Sequence, residues 1–69
     1  MIMRLKINGV EEEVAAATVS ELLTARGVDP AARFLAVAIN GVVVRRSEWC
    51  SKTLGPSDDI EIVKPISGG

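Results

Sequence analysis

The chain has 69 residues, 48% of them hydrophobic, with eight Lys/Arg against nine Asp/Glu and a net charge of −1. A domain of this length buries only about 60% of its unfolded surface, leaving little room for the roughly 300–1,000 Å³ pocket of a small-molecule enzyme. The two charge signs are interspersed, histidine and tyrosine are absent and cysteine occurs once, which argues against a nucleic-acid stripe, a poised proton-transfer group, a disulfide framework and a zinc site.

No run approaches the roughly 18 apolar residues of a membrane-spanning helix. The opening "MIMRLKI" alternates and carries Arg4 and Lys6, unlike a secretory or transit peptide. The expected location is the cytoplasm.

Within that opening, Met3, Leu5 and Ile7 alternate with Arg4 and Lys6, the pattern of a half-buried strand. Asn8-Gly9 follows, a strong hairpin signal, because both central residues of a type I′ turn take positive φ. Folding "VEEEV" back over a two-residue loop sets Lys6 opposite Glu11 and Arg4 opposite Glu13. Ile7 then faces Val10, and Met3 faces Val14, so charge gathers on one face and apolar groups on the other. Glu12, opposite Leu5, is the misfit and suits an open sheet edge. The glutamate run reads as a solvated edge strand whose charge discourages edge-to-edge association; a metal or basic-partner site is the alternative.

"TVSELLTARG" is a compact helix signal. Thr18 serves as N-cap, Glu21 completes a capping box, and Gly27 suits the C′ position. Val19, Leu22, Leu23 and Arg26 share one stripe, the first three apolar. So short a helix does not persist alone and must lie on a sheet, with its leucines in the core. Pro30 disfavours helix at Asp29, so "VDPAAR" crosses back as a loop or single turn.

"FLAVAI" is continuously apolar, as an inner strand would be, and Asn40-Gly41 starts a second hairpin into "VVVRR". Its register puts Ile39 opposite Val42 and Val37 opposite Val44. "RSEWCSKTLGPS" is an irregular connection with one helical turn at Ser47–Cys50. Trp49 is expected to anchor this segment on the core, an exposed binding aromatic being the alternative. Cys50 is expected to be a small semi-buried residue; with Arg45, Arg46 and Lys52 close in sequence, a reactive thiol is the alternative. "DIEIV" alternates as the last strand, with Ile60 and Ile62 on one side.

The order is β-hairpin, helix, β-hairpin, connection, β. The first and last strands can lie parallel at the sheet centre, with one helix covering one face. That is the β-grasp, or ubiquitin-like, arrangement, an α+β fold with a mixed sheet of four to five strands. Residues 1–64 form the domain and 65–69 an exposed tail.

The chain closes on "KPISGG". Average glycine usage gives a Gly-Gly ending odds of about one in 200. Fully extended, Ile66-Ser67-Gly68-Gly69 reaches roughly 13 Å beyond Pro65. Without a Cβ, glycines adopt any φ and pass through a narrow channel. A carboxylate on so thin an arm suits presentation into another protein's active site; an incidental flexible end is the alternative.

Together, "AINGVVVRRSEW…L…DIEIVKPISGG" resembles the ThiS family, the sulfur carriers of thiamin thiazole synthesis. The resemblance implies a carrier rather than an enzyme, with no cofactor bound by the chain itself. An activating enzyme similar to the ubiquitin E1, ThiF-like in this family, would adenylate Gly69 with its own ATP and magnesium. A cysteine-persulfide donor system would supply sulfur, and the resulting thiocarboxylate would go to a ThiG-like thiazole synthase. Gly68 would give steric access, Ile66 and Ser67 would line the channel, and Ile62, Val63 and Lys64 would contribute to docking. Ser57-Asp58-Asp59 departs from the usual Gly-Asp of the family, and Val44-Arg45-Arg46 from its frequent Val-Pro-Arg. The small subunit of molybdopterin synthase, with a similar ending, a lysine-conjugated modifier and a ubiquitin-like binding module are the rival readings.

Overall fold

The structure, a computed structural model, describes residues 2–64; the segment 65–69, read above as a tail, lies outside the described residues. Five strands and one helix run in the order β1 (Met3–Ile7), β2 (Val10–Val14), α1 (Val19–Ala25), β3 (Ala36–Ile39), β4 (Val42–Val44) and β5 (Asp59–Val63), with a 3-10 turn at Arg46–Glu48. The sheet order is β2-β1-β5-β3-β4. The last strand in sequence is therefore the central one. It runs parallel to β1 and antiparallel to β3. This is the mixed sheet of the β-grasp arrangement.

Both hairpins adopt the registers that their turn lengths dictate. Lys6 pairs with Glu11 and Arg4 with Glu13; Ile39 pairs with Val42 and Val37 with Val44. Asn8 and Gly9 take φ of 51° and 84°, and Asn40 and Gly41 take 52° and 83°, the double positive φ of a type I′ turn. On the solvent face the Arg4 guanidinium lies 3.8 Å from carboxylate oxygens of both Glu11 and Glu13.

Both ends of α1 are closed by local hydrogen bonds. Thr18 Oγ1 accepts the Glu21 amide at 3.2 Å, and Glu21 Oε1 accepts the Ala17 amide at 2.9 Å, one residue ahead of the cap itself. At the other end Gly27 has φ 75°; its N–H donates to Thr24, and the Val28 N–H donates to Leu23, a Schellman ending. The 49–54 connection crosses the start of the helix, where carbonyls of Lys52 and Trp49 accept the Val19 and Ser20 amides. Those are first-turn donors that the helix cannot satisfy internally.

Val19, Leu22 and Leu23 of α1 pack on Leu5, Ile7, Val37, Ile39, Ile60 and Ile62 of the sheet. Trp49 is 3% exposed and closes the core from the connection. Its indole N–H donates to the Val44 carbonyl at 2.9 Å, and the Arg46 guanidinium lies over its ring, 4.7 Å from the centroid. Glu12, the misfit of β2, is half-buried and meets Arg26 at 2.8 Å.

Three local readings are corrected. The strand read from "FLAVAI" begins at Ala36, because Phe34 takes φ 62° and cannot continue a ladder. The helical turn of the connection starts one residue earlier, at Arg46. Cys50 is exposed rather than semi-buried.

Candidate functional site

β5 ends at Val63, shortly before the glycine-ended segment 65–69 in sequence, and two turn asparagines hold that strand. On the β1 side the ladder runs through the Lys6 N–H to the Asp58 carbonyl at 3.0 Å and the Asn8 N–H to the Ile60 carbonyl at 2.8 Å. There β1 turns away, since Asn8 is left-handed. The Asn8 side chain adds the next rung, with Oδ1 accepting the Ile62 N–H at 2.8 Å.

Asn40 does the same at the start of β5. Its N–H donates to the Asp59 carbonyl at 2.7 Å, its Oδ1 accepts the Asp59 N–H at 2.9 Å, and its Nδ2 donates to Asp58 Oδ1 at 3.1 Å. Asp58 Oδ2 in turn accepts the Gly55 N–H at 2.8 Å, closing the turn before the strand. Ser57, in the turn that leads into the strand, takes φ 70°.

Alternation along β5 decides which side chains face outward. Ile60 and Ile62 are buried, whereas Asp59, Glu61, Val63 and Lys64 are exposed. Of the three residues expected to dock a partner, Ile62 is turned into the core at 7% exposure and has no side-chain surface to offer; Val63 and Lys64 do. Val63 pairs with Ala36, and Ala38 lies between Glu61 and Val43. Because Ala36 and Ala38 are small, the outer face between Val63 and Val43 is low, with exposed Glu61 beside Ala38, and both valines are mostly exposed. Ile66, Ser67, Gly68 and Gly69 lie outside the described residues.

Other surfaces carry less chemistry. A depression of about 440 Å³ lies between β2 and α1, lined in part by Glu12, Glu13, Leu22 and Arg26. It sits at the sheet edge, with β1 between it and β5. Among the described residues no three Cys, Asp or Glu side chains converge as metal ligands, and no helix is long and apolar enough to cross a membrane.

Sequence reasoning missed the second role of the asparagines. Asn-Gly marks a turn, but a turn alone does not say that each amide oxygen will accept from a strand far off in sequence. The alternatives at that position, glycine and aspartate, form the same turn.

Residues 5–69 match the ThiS family. A crystal structure of the thiamine biosynthesis protein ThiS from Geobacter metallireducens superposes with a TM-score of 0.78 and 33% identity, over 97% of this chain and 100% of that one. An NMR solution structure of a thiamine biosynthesis protein from the same organism gives the same score and identity, over 97% and 88% of the two chains. No curated protein sequence matches. The fold, the family match along nearly the whole chain and the identity to these structures agree: the chain belongs to the ThiS family, the β-grasp sulfur carriers of thiamine biosynthesis.

Proposed function

We propose that the reactive group of this carrier is the carboxylate of Gly69, and that the globule exists to deliver it. A carboxylate is a poor electrophile at neutral pH. In the reading we favour, a ThiF-like enzyme binds ATP and magnesium, and a Gly69 oxygen attacks the α-phosphorus. Pyrophosphate leaves, and the product is a mixed anhydride whose leaving group is AMP. Sulfide attacking that carbonyl expels AMP and gives the thiocarboxylate directly. A cysteine persulfide gives an acyl disulfide first, which a thiol then reduces to the same product. The soft, nucleophilic thiocarboxylate sulfur passes to a ThiG-like thiazole synthase. Each step uses catalytic groups of the partner, so this chain acts as a co-substrate.

The chain's own contribution is presentation. Gly68 and Gly69 have no side chain to block a narrow channel, and Ser67 and Ile66 follow them through it. Val63 and Lys64 dock beside the entrance. The observation that carries this reading is the fixing of β5: the strand feeding the tail is central, and side-chain amides brace it near both ends. A rigid root limits the arm's search for the partner's active site.

The test is ATP–pyrophosphate exchange by the activating enzyme, with the full chain and with Gly69 deleted. Exchange supported only by the full chain is expected. Equal exchange with both, or with neither, would refute the assignment to Gly69.

A further inference from the structure

Phe34 is 81% exposed, and its backbone is left-handed at φ 62°. Each feature is unfavourable on its own. The first leaves a large apolar side chain in water, and the second crowds Cβ against the main chain of a bulky residue. Phe34 takes no part in the apolar core; the next residue, Leu35, does, at 7% exposure. The segment before it is held in place, because both terminal nitrogens of Arg46 donate to loop carbonyls, one to Pro30 and one to Ala32. The chain is thus built to bury Leu35 and present Phe34.

Its location is informative. Phe34 stands two residues ahead of Ala36, which pairs with Val63. It therefore lies at the end of the sheet where β5 finishes, next to the outer face that carries Val63, Ala36, Ala38 and Val43, with exposed Glu61 beside Ala38. Exposed cations border that face: Arg33 beside Phe34, Lys64 beside Val63, and Arg45 one residue past Val44.

We propose that Phe34 is the anchor by which the enzyme that adenylates the C-terminus grips this carrier. Its ring fills an apolar pocket on that enzyme, and Arg33, Arg45 and Lys64 meet an acidic rim. This rests on the reading of Gly69 as the group presented. Few contacts are available to a short glycine-ended arm, so an anchor beside its root sets the register in which the arm enters. Exposed aromatics seated in partner pockets dominate interface energetics.

The deciding variant is Phe34→Asn, since asparagine tolerates the left-handed backbone. Binding of the intact chain to the adenylating enzyme is measured calorimetrically without ATP, and thermal unfolding is recorded alongside. The expected result is a Kd raised about 30-fold or more, with the Tm unchanged or raised by about 4 °C. Phe34→Leu, which keeps an apolar side chain, recovers most of the affinity. Binding of Phe34→Asn within twofold of the parent overturns the proposal, as does a loss of binding that tracks a lowered Tm. A parent chain that does not bind the enzyme overturns it too. A parent that binds but is not adenylated refutes the reading of Gly69 while the affinities still decide the role of Phe34. Dimerisation of the free chain that Phe34→Asn abolishes would assign the residue to self-association and also overturn the proposal.

Discussion

The side-chain oxygen of Asn8 accepts the backbone N–H of Ile62 at 2.8 Å, joining residues 54 positions apart. It stands where the next carbonyl of β1 would have been, had the chain not entered its turn. The bond braces β5 two residues before the last described one. Asn8→Gly keeps the positive φ but removes the acceptor, leaving a part-buried donor unpaired. A loss of about 1–2 kcal/mol is expected in denaturant unfolding, with faster hydrogen exchange at the Ile62 amide. Asn8→Asp keeps an acceptor oxygen and should hold that amide near its original protection. Unchanged exchange in the glycine variant would show that another group satisfies the donor.

Ser57 holds φ 70° in the turn that feeds β5, and its N–H donates to the Arg4 carbonyl at 2.9 Å. Glycine relieves the left-handed strain of about 1–2 kcal/mol and forfeits part of it to greater unfolded-state freedom. Ser57→Gly is therefore expected to stabilise by about 0.5–1 kcal/mol, read as a Tm rise of about 4 °C. A fall in Tm would mean that the hydroxyl contributes something the backbone geometry does not reveal.

Glu12 and Arg26 each break an apolar pattern, one on β2 and one on the stripe of α1, and they meet at 2.8 Å. Both side chains keep about a third of their surface exposed, so salt screens the pair. A double-mutant cycle with alanine should give a coupling of about 0.5–1 kcal/mol that shrinks in high salt. Replacing both by leucine should cost little stability, because the edge then closes with apolar contact. A coupling near zero would make the contact incidental.

Trp49 joins the connection to the sheet through its buried indole N–H and supports the Arg46 guanidinium on its ring. Trp49→Phe leaves the Val44 carbonyl without that donor and opens a small void. A loss of about 2–3 kcal/mol is expected, measured by circular dichroism during denaturant unfolding. A change below about 0.5 kcal/mol would show that the ring's position matters more than its hydrogen bond.

Much of this architecture was legible because its signals are local. Two Asn-Gly turns fix two registers, Thr18 and Gly27 bound one helix, and the "DIEIV" alternation assigns Ile60 and Ile62 to the core. The parallel pairing of β1 with β5 followed from chain order and the placing of one helix. What escaped was tertiary. Glu12 reads as a misfit at an edge and Arg26 stands on the helix stripe, but nothing linear says that they meet. Phe34 belongs to an apolar run, and run-based reading takes such a residue as strand; its left-handed backbone has no signal in that run. Ile62 was expected to dock a partner because it lies near the tail, although the same alternation that made it core denies it a surface. The acceptor roles of Asn8 and Asn40 needed the strand order to be known.

The central claim is that sulfur ends on the main-chain terminus, and the mass of the C-terminal peptide tests it most directly. The chain is incubated with the adenylating enzyme, ATP, magnesium and a persulfide donor with a thiol, then digested and weighed. The expected product is a terminal peptide heavier by the difference between one sulfur and one oxygen, with the change lost when Gly69 is deleted. That truncated chain should remain folded, since the buried core runs from Leu5 to Ile62. Sulfur found on Cys50, or a terminal peptide of unchanged mass while the enzyme consumes ATP, would contradict the account.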